Sequence, residues 1–304
     1  MAVGWRVTWV DNLTRGALWR LDTVRDNIEL CDVDVRDVAL LTRASQGADV
    51  MFHLAAVNGT ENFYNKPELV LDVGIRGALA AVEACQKAGV PDLVLASSAE
   101  VYQTPPSIPT DEAAPLMLPD SLNPRYSYGG SKIISELIAF NYGQDHFNKV
   151  QVFRPHNVYG PDMGHKHVVP QFIMRAFDNL KHNEAQFPIQ GTGMETRAFC
   201  YVDDIVRGVM CMYENGEHRQ VYHIGNDQMV SMHDLAVKIG EKIGLYLSPV
   251  PSAAPAGETS TRCPSIEKMK HIGYQPQVDL DTGLQMTISW YKANGHLGAD
   301  NPIL

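Results

Sequence analysis

The 304-residue chain lacks long apolar segments and an excess of basic residues, and each absence excludes a class of protein. No apolar run approaches the roughly 20 residues that cross a bilayer, and the start of the chain lacks the basic-then-apolar pattern of a secretory signal. Lys and Arg number 25 against 35 Asp and Glu, so the formal net charge is -10. This charge repels nucleic-acid phosphates and anionic lipid, and we expect neither a nucleic-acid nor a membrane partner.

Cysteine is also scarce, and its distribution matches neither a metal site nor a disulfide framework. The five cysteines are Cys31, Cys85, Cys200, Cys211 and Cys263. We therefore expect reduced thiols and a cytoplasmic protein. The two histidines of the segment 165–167 have no carboxylates or cysteines at ligand spacing, so no metal site is predicted. The remaining composition, 45% hydrophobic and 20% charged, is typical of one large domain or two modest ones.

Tyr128 and Lys132 stand four residues apart at the start of a segment with helical periodicity. Residues at this spacing share one face of a helix, so the phenol and the ammonium can converge on one ligand. A nearby cation favours the phenolate, which a general base near neutral pH requires. Composition alone predicts roughly 0.4 such pairs in this chain, so the interpretation depends on the neighbouring segments.

Two apolar segments, 91–102 and 150–157, flank this pair, and each is predicted to be a strand that ends in polar residues. Ser98 follows the first strand and Asn157 follows the second. Because the carboxyl ends of parallel strands form the ligand crevice of an open sheet, we expect Ser98, Asn157 and Tyr128 to face one site.

As part of a set of seven motifs in order along the chain, this arrangement resembles the extended short-chain dehydrogenase/reductase family, the nucleotide-sugar epimerases and dehydratases. The motifs are Asp-Asn-Leu at 11–13, Asp-Val-Arg-Asp at 34–37, His-Leu-Ala-Ala at 53–56, Ser-Ser-Ala-Glu-Val-Tyr at 97–102, Tyr-x-x-x-Lys at 128–132, Arg-Pro-His-Asn-Val-Tyr-Gly at 154–160 and the segment 197–204. The resemblance covers nearly the whole chain. It implies an α/β fold: a Rossmann-like doubly wound parallel sheet, amino-terminally truncated, over residues 1–155 and 199–225, with a smaller mixed substrate-binding domain over 156–198 and 226–304.

The resemblance also implies that NAD is the cofactor. Asp11 matches the acidic residue that holds the adenosine ribose hydroxyls, and because its charge would repel a 2′-phosphate, NAD is favoured over NADP. His53 is expected to pack beneath the site. The implied cofactor-binding residues are Asp11, Asn12, Asp34, Val35, Leu54, Ala55, Ala56, Ser97, Tyr128, Lys132 and Pro155.

One expected element is missing from the sequence. The family begins with a strand and a glycine-rich turn, G-x-x-G-x-x-G, which receives the cofactor pyrophosphate at a helix amino terminus. Here the chain begins at what resembles the second strand, and no such turn occurs between a strand and a helix. Three explanations are open: a truncated sequence, which we favour, a rearranged amino-terminal half that no longer binds cofactor, or a strand supplied by another chain.

The resemblance implies catalysis by transient oxidation of a nucleotide-diphosphate sugar to a keto-sugar. Tyr128 would act as the base, Lys132 would bind the nicotinamide ribose and lower the Tyr128 pKa, and Ser98 would steady the sugar oxygen. Dehydratases of the family carry an acid at the position of Ala99, so an epimerase is predicted. Glu100 is a possible catalytic residue that also suits a decarboxylase of nucleotide-linked uronic acids or a 4,6-dehydratase, and a non-catalytic sugar-nucleotide-binding protein is the alternative from another class.

The remaining implied contacts concern the substrate and a second subunit. The substrate-binding residues are Ser98, Asn157, His167, Val168, Gln190, Arg197 and Arg262, although Ala198 replaces the usual Asp next to Arg197. The proline-rich loop 104–124 has the length and composition of a lid over a pocket. The helices predicted from Leu69 and Ser131 each need a covered apolar face, so a homodimer is expected.

Overall fold

The computed structural model describes residues 4–165, 167–253 and 260–299. Its strands are β1 (Val7–Asp11), β2 (Ile28–Asp32), β3 (Val50–His53), β4 (Asp92–Ala96), β5 (Lys149–Pro155), β6 (Val158–Tyr159), β7 (Gln186–Gln190), β8 (Thr196–Ala198), β9 (Cys200–Tyr201), β10 (Gln220–Ile224), β11 (Met229–Ser231), β12 (Ser248–Ser252) and β13 (Thr261–Arg262). Its helices are α1 (Val38–Ala44), α2 (Thr60–Asn65), α3 (Pro67–Ala88), α4 (Ser127–Asn141), α5 (Val168–His182), α6 (Val202–Asn215), α7 (Met232–Ile243), α8 (Glu267–His271) and α9 (Leu280–Ala299). No helix within the described ranges is long and apolar enough to cross a membrane.

The central sheet contains four parallel strands in the order β10-β5-β4-β3. Its strands are apolar on both faces because helices cover both sides. Leu93 and Leu95 of β4 pack against residues of α3 and α4, whereas Val94 between them packs against residues of α6 and α8. Alternate side chains therefore feed two cores, and the predicted doubly wound α/β fold is confirmed.

A second, two-stranded parallel sheet contains β1 and β2. Within the part of the chain that the structure describes, β1 hydrogen-bonds only to β2, and β3 only to β4. Val10 of β1 and Met51 of β3 nevertheless pack against one cluster of apolar residues from α1 and α3. The parallel strands are thus divided between β1 and β3, where the family's first strand would lie in the 3-2-1-4 order.

A separate core is formed by residues that follow β5 in the chain. It is formed by α5, α7 and α9 around strand β7 and contains Phe172, Ile173, Phe187, Leu235 and Leu284. Beside it, β8 pairs with β11 and with β13, and this pairing brings Arg262 opposite Arg197. Residues 266–274 pack instead on the central sheet. The domain boundaries given above stay a prediction.

Candidate active site

Helix α4 presents Tyr128 and Lys132 on one face, as their spacing predicts. The Tyr128 ring stacks on Phe63 of α2 at 4.9 Å between centroids, and the Ser98 side chain is close enough to the Tyr128 hydroxyl to act on its pKa. Lys132 Nζ lies 5.7 Å from the centroid of the Tyr128 ring and donates a 2.7 Å hydrogen bond to the Ala96 carbonyl oxygen. The phenol, the hydroxyl and the ammonium therefore form one cluster at the carboxyl end of β4.

A glycine allows this close approach of α4 to the chain that follows β4. A Cβ atom at Gly129 would lie 2.8 Å from the Glu100 carbonyl oxygen and 2.6 Å from the Gln103 side chain. Real Cβ atoms do not approach backbone oxygens so closely, so position 129 has no room for a side chain. The absence of a side chain at Gly129 lets Tyr128 lie close to the turn that carries Ser98.

Burial is the main influence on the charges of the cluster. It raises the pKa of Tyr128 to about 12, although the hydrogen bond from Ser98 and the Arg15 charge act in the opposite direction. Burial also lowers the pKa of Lys132 to about 8, against the opposing charge of Glu136. Arg15, which the sequence reasoning did not single out, thus supplies positive charge to the phenol from the loop after β1.

Arg15 reaches the site through a contact with the chain that follows β3. Its Nη1 atom donates a 2.9 Å hydrogen bond to the Asn58 carbonyl oxygen, and the guanidinium is close enough to His167 to lower the pKa of that imidazole, after the larger effect of burial. Nearby, Arg20 binds Asp162 through two hydrogen bonds of 2.5 and 3.1 Å. The loop between β1 and β2 therefore lies across the crevice, toward the segment before α5.

A buried polar network supports the cluster from below. Arg154 donates hydrogen bonds of 2.9 and 2.6 Å to the two carboxylate oxygens of Glu136, and Ser97 donates to the same carboxylate. Arg154 also donates to the hydroxyl of Tyr102, which lies 2.6 Å from His223 Nε2. Ser97, which the resemblance assigned to the cofactor, thus uses its hydroxyl inside this network.

The predicted adenosine end of the site lies at the carboxyl ends of β1 and β2. Asp11 Oδ1 accepts a 2.7 Å hydrogen bond from the Leu13 amide, and a Cβ atom at Gly16 would lie 3.1 Å from the same oxygen. Asn12 donates to Asp34 at 3.3 Å. Asp34 is bound by Arg36, which holds its pKa well below the usual range. The Val35 side chain packs toward Gly77 of α3.

Residues after β3 lie between the predicted adenosine end and the cluster of Tyr128, Ser98 and Lys132. His53 is buried, as expected, and burial followed by the Lys132 charge lowers the pKa of its imidazole to about 3. Leu54 and Ala55 are exposed, whereas Ala56 packs against the Phe63 and Tyr128 cluster. Pro155 ends β5 opposite Ile224 of β10.

These residues fit a dinucleotide at its two ends. Asp11 is a carboxylate at a strand end, the kind of group that can accept hydrogen bonds from ribose hydroxyls, and the Lys132 ammonium has three donors, of which the Ala96 carbonyl uses one. Between the ends, a glycine-rich turn would follow a strand between β1 and β3, and the described residues supply no such strand there. The fit is therefore good for the nicotinamide and adenosine ends and incomplete for the pyrophosphate.

Arginines surround the partly buried carboxylate of Glu100, two residues after Ser98. Arg262 forms an ion pair with Glu100, and the charges of Arg125 and Arg197 also act on it. Burial by itself raises the Glu100 pKa, but the arginines outweigh this effect, so the pKa is lowered and the group is ionised. Arg262 and Arg197, both assigned to the substrate diphosphate, thus converge beside Ser98 although 162 residues separate Arg262 from Glu100.

The other predicted substrate residues are less close to this cluster. Asn157 adopts a positive φ of 40° and donates a 3.2 Å hydrogen bond to the Ala198 carbonyl, so it joins β5 to the β8 segment. Val168 begins α5 and packs against the second core. The Gln190 side chain is exposed at the end of β7 and makes no hydrogen bond within the described ranges.

The loop 104–124 is anchored rather than open. The Thr110 amide donates to the Cys263 carbonyl at 2.9 Å, and the Ser265 amide donates to the Thr110 carbonyl at 2.6 Å. Lys166, between the two histidines considered above as metal ligands, lies outside the described residues, as do 254–259 in the loop before Arg262. No group of three potential metal ligands occurs within the described ranges.

Comparison with known proteins identifies relatives of several activities. Residues 1–225 match the model of the NAD-dependent epimerase/dehydratase family. A dTDP-glucose 4,6-dehydratase of Streptomyces antibioticus is 28% identical over 292 residues, which cover 95% of this chain and 83% of the relative. A putative UDP-glucose 4-epimerase of Methanocaldococcus jannaschii is 28% identical, covering 94% and 90%. A UDP-N-acetyl-alpha-D-glucosaminuronate decarboxylase of Bacillus cytotoxicus is 27% identical, covering 95% and 91%.

A solved structure extends the similarity to three dimensions. The dTDP-glucose 4,6-dehydratase from Streptomyces venezuelae, determined with NAD bound, is 26% identical and superposes with a TM-score of 0.86. The alignment covers 98% of this chain and 90% of that one. The overall arrangement of strands and helices is therefore shared along nearly the whole chain.

Proposed function

Because the chain belongs to the NAD-dependent epimerase/dehydratase family, we propose that it epimerises a nucleotide-diphosphate sugar through transient oxidation to a keto-sugar. The observation that carries this proposal is the cluster in which Tyr128 lies close to Ser98 and beside Lys132. A base, an oxyanion-stabilising hydroxyl and a cation are the groups that oxidation of a secondary alcohol requires from the protein.

Each member of the cluster has a separate task. Tyr128 removes the proton from the sugar hydroxyl, and Ser98 donates a hydrogen bond to the oxygen on which negative charge develops. Lys132 and Arg15 stabilise the phenolate electrostatically. Bound NAD supplies a hydride acceptor that returns the hydride in the second half of the reaction. Asp11 and Lys132 are the residues that would hold the two ends of the cofactor.

The residue after Ser98 favours epimerisation over loss of water. Elimination needs an acid that protonates the departing hydroxyl, and Ala99 has no such group. Return of the hydride to the opposite face of the keto-sugar needs no further acid. An epimerase is therefore the first proposal, and a 4,6-dehydratase is less well supported.

Glu100 supports a nucleotide-sugar decarboxylase as the second proposal. Its carboxylate is 27% exposed, ionised and paired with Arg262 close to Ser98. A solvent-exposed carboxylate at a strand end would not need such a partner. A uronic acid oxidised next to its carboxyl-bearing carbon could lose carbon dioxide without a proton-donating acid at position 99.

A non-catalytic sugar-nucleotide-binding protein is the proposal from a different class. The division of the parallel strands between β1 and β3 supports it, because that is where the family binds the cofactor pyrophosphate. The two classes differ in a simple property, the affinity for NAD.

We also propose a cytoplasmic homodimer. The cysteines of the described chain are free, which suits a reducing compartment. Helices α3 and α4 expose Leu71, Ile134 and Leu137, the last by 58% of its surface, so their outer faces suit burial against a second copy.

Two measurements test these proposals in order. The purified 304-residue protein is first assayed for bound NAD and for affinity toward added NAD; the absence of both would leave only the binding-protein proposal. Products from UDP-glucose, dTDP-glucose and UDP-glucuronate are then compared by mass. An unchanged mass with an inverted carbon supports the epimerase, loss of 44 mass units supports the decarboxylase, and loss of 18 supports the dehydratase.

A further inference from the structure

His156 is a buried imidazole that neither the resemblance nor the proposed mechanism uses. It follows β5 directly, and its backbone amide donates a 3.0 Å hydrogen bond to the Ile224 carbonyl. The side chain is 3% exposed, and neither ring nitrogen has a hydrogen-bond partner among the residues that the structure describes. Since nearly all buried polar atoms are paired, two unpaired nitrogens on one ring indicate a group whose partner is a water molecule or a ligand.

The nearest polar side chains are already engaged, so rearrangement within the protein does not satisfy His156. The ring of His223 lies 4.6 Å from that of His156 between centroids. His223 contacts the Tyr102 hydroxyl at 2.6 Å through Nε2 and the Ser265 carbonyl at 3.2 Å through Nδ1. Tyr102 is also bound by Arg154.

A small cavity adjoins the ring, and Ala99, the residue after Ser98, forms part of its wall. It is lined by His156, Arg262, Ala99, Thr110 and Gln103, with Tyr102, Pro105 and Cys263 completing the wall. About 10 Å³ is open to the centre of a water molecule, which is the space for one water or one hydroxyl group. Ala99 directly follows Ser98, so a sugar held by Ser98 would place a neighbouring substituent at this cavity.

The charges of the cavity favour a neutral substituent. Burial, and then the neighbouring His223 and Arg262, lower the pKa of His156 well below its usual value, so the ring is neutral with one donor and one acceptor. The Arg262 charge is compensated by Glu100. A hydroxyl can both donate to and accept from such a ring, whereas a carboxylate would meet the charge of Glu100.

We propose that His156 and the adjoining wall of the cavity form a subsite for a hydroxyl group of the substrate sugar, next to the carbon that is oxidised, and that His156 contributes to sugar selectivity. The inference rests on the proposed function, since it requires a sugar nucleotide at Ser98. It adds His156 to that function as a residue that determines specificity. In this role His156 contacts the sugar and not the diphosphate.

Calorimetric titration of the whole chain with UDP, dTDP, UDP-glucose and dTDP-glucose tests the subsite without requiring turnover. For the nucleotide that binds more tightly, His156→Phe should weaken the binding of the nucleotide sugar by roughly tenfold, a loss of about 1.4 kcal/mol. The affinity for the free nucleoside diphosphate should stay unchanged. His156→Gln, which keeps a donor and an acceptor, should recover part of the loss. His182→Phe on the exposed surface of α5 is the matched control and should change neither affinity.

Thermal unfolding of the same variants separates selectivity from folding. His156→Phe replaces two unpaired nitrogens by carbon at similar volume, so its midpoint should equal or exceed that of the unaltered chain. Equal weakening of UDP and UDP-glucose, or unchanged binding of both, would overturn the subsite while leaving the proposed function standing. Failure of the unaltered chain to bind any of the four ligands would overturn the proposed function and the subsite together.

Discussion

The four-stranded and two-stranded parts of the parallel sheet differ in how completely their side chains are buried. In the four-stranded part, strands β4 and β5 are buried on both faces, and the Glu136–Arg154 pair is 5% and 4% exposed. In the two-stranded part, Trp9 is 39% exposed, and the Asp34–Arg36 pair is about one-third exposed. The groups proposed for proton transfer stand on the complete part, and the groups proposed for the adenosine stand on the incomplete part.

This difference shows which of the proposed site residues are held firmly in position. Tyr128, Ser98 and Lys132 are held by helix packing, a glycine contact and a buried ion pair, all of which resist displacement. Asp11 and Asp34 are held by short-range turns and an exposed ion pair. Changes in the first group should therefore have large effects and changes in the second group small ones.

The largest effect is expected from Tyr128→Phe. Loss of the phenolic oxygen removes the proposed base while the ring keeps its stacking on Phe63. Turnover should fall by about 10²–10⁴-fold, the usual contribution of a general base, with sugar-nucleotide affinity nearly unchanged. Single-turnover formation of keto-sugar, followed beside calorimetric binding, provides the measurement. Substantial retained turnover would reject Tyr128 as the base.

Breaking the two ion pairs compares the parts of the sheet directly. Glu136→Gln leaves Arg154 buried beside a neutral partner and should cost about 3–5 kcal/mol in the free energy of unfolding. Asp34→Asn at the more exposed pair should cost about 0–1 kcal/mol. Urea unfolding of both variants measures the difference. Equal costs would show that the two-stranded part is as well packed as the other.

The loop after β1 is the one element of the incomplete part that acts on the reacting phenol. Arg15→Gln removes a positive charge that favours the phenolate, so the pKa of Tyr128, already raised to about 12 by burial, should rise further. The acid limb of the pH–rate profile should then shift to higher pH, because a larger fraction of the phenol stays protonated at a given pH. Tyrosinate absorbance, taken as a difference against Tyr128→Phe, checks the ionisation without turnover, and Arg15→Lys should show a smaller shift.

The smallest effect is expected at the exposed face of β1. Trp9→Thr places a β-branched residue, which suits a strand, where a side chain more than one-third exposed is removed. The free energy of unfolding should change by no more than about 0.5 kcal/mol. Thermal unfolding of the isolated chain provides the measurement. A cost of several kcal/mol would mean that this tryptophan is covered in solution.

Local patterns were sufficient to predict the elements that carry the cluster. The apolar strand before Ser98 and the four-residue spacing of Tyr128 and Lys132 depend on neighbours in sequence, and both are found in the structure. The predicted start of the helix at Ser131 was late, because Gly129 and Gly130 have low helix propensity and hide the first turn. That turn packs closely on the chain after β4, because Gly129 has no side chain.

Contacts made by loops and by distant strands could not be predicted in the same way. Arg15 stands in a loop whose path depends on the Asn58 carbonyl, 43 residues away. Glu100 meets Arg262 only because β13 pairs with β8 beside the Ser98 turn. His156 looked like an ordinary residue of a motif, and its missing partners became visible only when the surrounding chain was assembled.

The contact at Gly129 fixes the reach of the proposed base. Since a methyl group there would strike the Glu100 carbonyl, whereas one at Gly130 would meet only the end of the Leu118 side chain at 3.4 Å, two adjacent glycines differ in what they tolerate. The absence of a Cβ atom at Gly129 thus helps to set the distance between the Tyr128 phenol and the substrate hydroxyl in the proposed reaction. Alanine at position 129 would therefore require α4 to shift away from the chain after β4, and this shift would change the position of Tyr128 relative to Ser98.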